Sequence, residues 1–166
     1  MKKIVLSLVI MFAVIAANAQ ESKWFATGSF RLWHDNEAAE TLFSVIPEVG
    51  YNFNEKWAVG LEVGYSHEGS YDELIFSPFA RFTYYRNNLV SLFVDGNIGY
   101  CGDFDINGVE IGLKPGIALN LNKHFSLQAK FGFLGYRNDY EGKLSDGFGI
   151  DLNPANALSF GIHYEF

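Results

Sequence analysis

From Trp24 onward the chain alternates apolar and polar positions in runs of about ten residues, the period of a half-buried strand. Residues 158–166 show the pattern without a break: Leu158, Phe160, Ile162, Tyr164 and Phe166 alternate with Ser159, Gly161, His163 and Glu165. Such runs predict strands near 24–34, 41–53, 57–67, 74–86, 89–101, 109–121, 125–136 and 156–166. No segment after residue 23 sustains a 3.6-residue apolar period, so no helix is expected there. The connections alternate in length. Asn52–Trp57, Tyr85–Leu89 and Asn120–Phe125 read as tight turns rich in Asn, whereas His34–Glu40, His67–Glu73, Gly102–Gly108 and Arg137–Ala155 read as long loops. Short turns at one end, long loops at the other and an even strand number predict an all-β, up-and-down, eight-stranded antiparallel barrel.

Charge decides which face of that barrel is outside. In every predicted strand one parity is free of charge and carries the apolar and aromatic residues, among them Trp24, Pro47, Tyr65, Pro78, Tyr84, Tyr100, Pro115 and Phe133. The other parity holds Arg31, Glu48, Glu62, Arg81, Asp95, Glu110, Lys114, Lys130, His163 and Glu165 among small polar residues. An apolar exterior in lipid with salt bridges inside satisfies both faces, which makes this a transmembrane barrel. Eight strands leave a lumen only wide enough for side chains, so Arg31, Glu48, Glu62, Arg81, Asp95, Lys114 and Lys130 are expected to pair across it, with Arg81 as the hub. Leu42, Ile46, Ile75, Phe79, Phe93 and Leu134 interrupt the polar parity. Aromatics band at both ends, with Trp24, Tyr51, Trp57, Tyr84, Phe125, Tyr164 and Phe166 at the short turns and Phe43, Tyr65, Phe76, Tyr100 and Phe133 at the long loops, where interfacial girdles belong.

The N-terminus fits export. Lys2 and Lys3 precede an apolar run from Ile4 to Ala17, and Ala17-Asn18-Ala19 is a small-x-small cleavage site, so residues 1–19 read as a signal peptide and 20–166 as one barrel domain. The apolar run is too short to span a bilayer as a helix. Cleavage removes two lysines and takes the net charge from −7 to −9. That balance, with no basic cluster, excludes nucleic acid as a partner. Cys101 is the sole cysteine, so no internal disulfide exists.

Gly161-x-x-Tyr164-x-Phe166, the prolines Pro47, Pro78 and Pro115, and Arg81 within "SPFARF" resemble features of the small eight-stranded outer-membrane barrels of the OmpX, OmpA-barrel and opacity-protein type. The resemblance spans residues 20–166. It implies a cell outer-membrane location, contact with outer-membrane lipid and lipopolysaccharide, a monomer, and an insertion signal at Gly161, Tyr164 and Phe166 read by the barrel assembly machinery. Bulges are expected at the three prolines, because proline forfeits a ladder hydrogen bond.

Function is expected to be non-catalytic, through envelope integrity or adhesion by the loops. A narrow passive channel is the first alternative, and a lipid-modifying outer-membrane enzyme the second. Ser66-His67-Glu68 and His34-Asp35 do not make a nucleophile and base, since neighbours on a strand point to opposite faces. No cofactor is expected. Asp146, Asp151 and Asn153 are oxygen ligands in a glycine-rich stretch and the one Ca²⁺ candidate, but they lack EF-hand spacing, so no metal site is expected. Thirteen carboxylates fall on the long loops and their margins, Glu110 and Asp151 included, against only Arg137 and Lys143, which predicts an acidic rim as the place for an extracellular ligand.

Overall fold

Three asparagines turn the chain at one end of the molecule. Asn54 Oδ1 accepts hydrogen bonds from the backbone N–H groups of Lys56 and Trp57 at 2.9 and 3.0 Å. Asn87 Oδ1 does the same for Leu89 and Val90, and Asn122 Oδ1 for His124 and Phe125. Each side chain replaces a backbone acceptor and fixes a tight reversal. The turns join β2 (Glu40–Asn52) to β3 (Trp57–Glu68), β4 (Tyr71–Arg86) to β5 (Val90–Gly102), and β6 (Asn107–Asn120) to β7 (Phe125–Phe131). β1 is Trp24–Asp35, β8 Phe133–Asn138, β9 Gly147–Asp151 and β10 Leu158–Glu165.

The computed structural model describes residues 23–35, 40–68, 71–102, 107–140, 146–152 and 158–166, with the backbone alone at 30–35, 40–43, 67–68 and 71–72. The expected signal peptide lies outside the described residues. β7 and β8 form one stave of the wall, and β9 and β10 another, so the ten segments make a closed eight-stranded antiparallel barrel. Neighbours in sequence pair around the wall, and β10 meets β1 through Phe25–Glu165 to Gly28–Ile162.

Five expectations need correction. The stretch Arg137–Ala155, read as a loop because of its glycines, contains β9, which pairs with β8 from Phe133–Asp151 to Arg137–Gly147. Gly132, at φ 80°, interrupts the seventh stave and shifts its register against β6 by one residue. A shift of one residue exchanges the two faces. Phe133, expected outside, is therefore buried at 4% exposure, and Leu134, which interrupted the polar parity, faces outward.

The prolines do not carry bulges. Register continues unshifted past Pro47, Pro78 and Pro115, although the ladder skips the positions beside the first two on one side. The shift in β4 falls at Tyr84, between Thr83 and Tyr85. Tyr65, expected in the outer girdle, is buried at 5% exposure.

Outside, the strand residues of the apolar parity whose side chains are described, from Leu74 on in β4, include no Asp, Glu, Lys or Arg before the shift at Tyr84, and large side chains such as Trp57, Phe76, Tyr84, Ile98, Ile111, Phe131 and Ile162 stand exposed. At the turn end they touch one another. Trp24 meets Tyr51 and Tyr51 meets Phe53 edge-on, while Tyr164 lies 4.8 Å from Phe125 and 4.9 Å from Phe166, ring to ring.

Inside, Ile75, Phe79 and Phe93 keep their inward positions and form apolar packing within the lumen. Phe25, Ala58 and Phe79 make one cluster, and Ile75, Cys101 and Tyr140 another with Ile46 against it. Cys101 thus fills space. Glycine makes room for two of the rings: a methyl at Gly50 would overlap the Phe25 ring, and one at Gly60 the Phe79 ring. Gly60→Ala should therefore lower stability by about 1–3 kcal/mol through overpacking. Gly28→Ala, whose methyl meets nothing within 4 Å, should cost far less. Urea unfolding of the refolded barrel in detergent measures both.

Candidate functional site

The lumen holds two ionic clusters stacked along the barrel. The first centres on Arg81 of β4. Its Nε reaches Asp95 Oδ1 at 2.7 Å and its Nη2 reaches Asp95 Oδ2 at 2.8 Å, a side-on fork between residues directly opposite on β4 and β5. Nη2 also donates to Glu48 Oε1 at 3.0 Å, and Nη1 to Gln128 Oε1 at 3.2 Å. A planar guanidinium can grip one carboxylate side-on while serving further acceptors, a geometry that a lysine's point-like ammonium does not offer. Around it stand the rings of Phe93, Phe79 and Phe25, with centroids 4.1, 5.3 and 5.6 Å from Cζ.

Strand register creates a problem that Lys130 solves. Glu48 and Glu62 face each other directly on β2 and β3, and like charges so placed repel. Lys130 of β7 reaches across to both, 2.7 Å from Glu48 Oε2 and 3.4 Å from Glu62 Oε2, and lies 3.2 Å from Asp95 Oδ2. One ammonium thus contacts three carboxylates from three strands, and with Arg81 it sets two positive charges against their three negative ones. The cluster continues toward the seam: Thr27 Oγ1 lies 2.9 Å from His163 Nδ1 and 3.5 Å from Glu48 Oε1.

The second cluster surrounds Glu110 of β6, whose carboxylate is wholly buried. Lys114 Nζ lies 2.5 Å from Oε1, Arg137 Nε donates to Oε2 at 3.0 Å, and Asn97 Nδ2 donates to Oε1 at 2.5 Å. Arg137 in turn faces Asp151 at 3.9 Å and stacks over Phe133, 3.9 Å from the ring centroid.

The structure brings Glu48, Glu62, Arg81, Asp95 and Lys130 together and places Lys114 in the neighbouring cluster, paired with Glu110 although Asp95 is its partner in register. The side chain of Arg31 lies outside the described residues.

Glu110 keeps the inward face that its parity predicts, but its count toward the loop rim, with Arg137 and Asp151, is corrected: all three are buried in the lumen. The signal was present for Arg137. Carried unchanged past Gly132, the apolar parity of 125–136 would put this charge on the outer face, a conflict that a face exchange at Gly132 removes.

The Ca²⁺ ligands do not assemble among the described residues. Asp146 Oδ1 accepts the backbone N–H of Asp139 at 2.8 Å, Asp151 faces Arg137, and Asn153 is outside the description. Of the C-terminal motif, Tyr164 and Phe166 join the aromatic belt, the Phe166 N–H donates to Trp24 O at 3.1 Å, and Gly161 sits against Thr27 and Gly28.

The barrel is similar to a known crystal structure, the N-terminal β-barrel domain of Pseudomonas aeruginosa OprF, with a TM-score of 0.55 and 13% identity, over 87% of this chain and 98% of that one. At that identity the likeness is one of fold. No protein-family model and no curated protein matches the chain.

Removing one partner of a buried ionic knot strands the others. Arg81→Met should cost about 3–5 kcal/mol. Adding Asp95→Asn should restore part of that loss, with a coupling of about 0.5–3 kcal/mol in a double-mutant cycle on urea unfolding.

Proposed function

We propose that this is a non-catalytic outer-membrane barrel with a charge-plugged lumen, acting through envelope integrity or through its long loops. The observation that carries the reading is the knot at Arg81 and Lys130, which ties carboxylates of β2, β3 and β5 across the interior. A solute crossing the lumen would have to separate these pairs with little water to replace them, and breaking such a pair costs several kcal/mol. The uncharged, aromatic exterior supports a lipid environment, since a soluble monomer rarely exposes contiguous apolar surface of this extent. Export by residues 1–19 and contact with outer-membrane lipid and lipopolysaccharide belong to the same reading.

Support for a non-enzyme comes from β3, which runs regularly to Glu68, so that Ser66 and His67 occupy opposite faces. The refolded protein in a planar bilayer should show no steady conductance. A reproducible open level of uniform size would replace the plug with the channel reading.

Insertion is assigned to Gly161, Tyr164 and Phe166, recognised by the barrel assembly machinery. The reading is supported by the way Tyr164 packs against both Phe125 and Phe166 on the outer belt beside the β1–β10 seam. Phe166→Asp should reduce the amount of heat-modifiable, membrane-inserted barrel several-fold in cells, measured by gel shift of envelope fractions. Levels equal to the parent would remove this role.

A further inference from the structure

Below the Arg81 knot the lumen opens into a cavity of about 510 Å³ at the turn end. That is within the range of roughly 300–1,000 Å³ typical of small-ligand sites. Its deep wall includes Arg81, Gln128 and His163, and its mouth is formed by Arg86, Lys123 and His124.

The polar groups here are unevenly committed. Arg86 and Lys123 have no ion-pair partner among the described residues, and Glu165, the acid of the lining, already accepts from Asn52 Nδ2 at 3.0 Å. Gln128 is 6% exposed; its Oε1 is taken by Arg81, while its amide N–H groups have no acceptor among the described residues. The cavity therefore offers donors and positive charge within a chain whose net charge is −7. Donors left over in a concave site call for acceptors, and two free cations at the mouth call for an anion.

We propose that this vestibule is a binding site for an anionic phosphate group, held at the mouth by Arg86 and Lys123 and at depth by the Gln128 amide. The group belongs either to a soluble phosphate or to a phospholipid headgroup at the adjacent membrane surface. The proposal rests on the open half of the lumen and is independent of whether the plug conducts.

The test is NMR titration of the refolded full chain in phosphatidylcholine nanodiscs with inorganic pyrophosphate, against chloride at equal ionic strength. Saturable shifts at the Gln128 side-chain amide, weakened at least tenfold in R86Q/K123Q, are expected. If the double variant does not refold to the heat-modifiable form, Lys123→Glu, on an exposed turn, serves instead and should weaken binding as much. Repeating the titration in phosphatidylglycerol discs separates the sources. A pyrophosphate affinity that falls more for the parent than for R86Q/K123Q, which feels the same surface potential, identifies the headgroup as occupant, and an equal fall in both the soluble anion. Shifts that follow ionic strength alone, or equal affinity in the charge variants, overturn the proposal.

Discussion

A charge inside an eight-stranded barrel has almost no water to fall back on, and the architecture follows from how Arg81 meets that constraint. Its fork takes Asp95 from the neighbouring strand and Glu48 from across the lumen, and Lys130 completes the shells of both acids. Five staves therefore meet in one knot: β2, β3, β4, β5 and the β7 stave. Thr27 and His163 extend it to β1 and β10, the two edges that must join for the barrel to close. Pairing and closure are thus coupled. The carboxylates of β2 and β3 face one another and need the cation of β7, so the wall is electrostatically complete only when strands distant in sequence are in place.

The aromatic rings on the inward face belong to the same solution. Phe25, Phe79 and Phe93 surround the guanidinium, fill space that would otherwise admit water, and offer it the negative faces of their π-systems. Rings of that size fit only because their register partners on the adjacent strands are bare: Gly50 beside Phe25, Gly60 beside Phe79 and Gly116 beside Phe93. Phenylalanine in a polar stripe and glycine in a strand each look unfavourable alone. Together they let a barrel of this width bury a fork of charge among packed rings.

Alternation made most of this fold legible, because a lipid-like exterior and a side-chain-filled interior both demand period two. The turns were equally plain, since Asn54, Asn87 and Asn122 act within four residues of themselves. Legibility failed where one local event changed the meaning of everything after it. Gly132 exchanges the faces of its stave, and with them the places of Phe133, Leu134 and Arg137. β9 was hidden because Gly147 and Gly149 carry no side chain to register a face; only pairing with β8 defines it. The Arg81 cluster was foreseeable in membership, as its residues lie mid-strand on one parity. The Glu110 cluster was not, because it lies at the loop end, where parity alone does not separate a lumen residue from a rim residue.

That last distinction governs how the two ends should be understood. Glu110 and Asp151 count toward an acidic rim by sequence position, yet each finds a guanidinium inside at Arg137 and is drawn out of solvent with it. Position along a strand sets where an acid can point, and the nearest cation decides where it does. At the turn end the same logic runs the other way: Arg86 and Lys123 have no such partner and keep their charge at the mouth of the vestibule. Between the ends, the Arg81 knot occupies the cross-section. An ion or ligand at one mouth is therefore felt at the other only through the pairs that separate them, and those pairs are held by the wall itself.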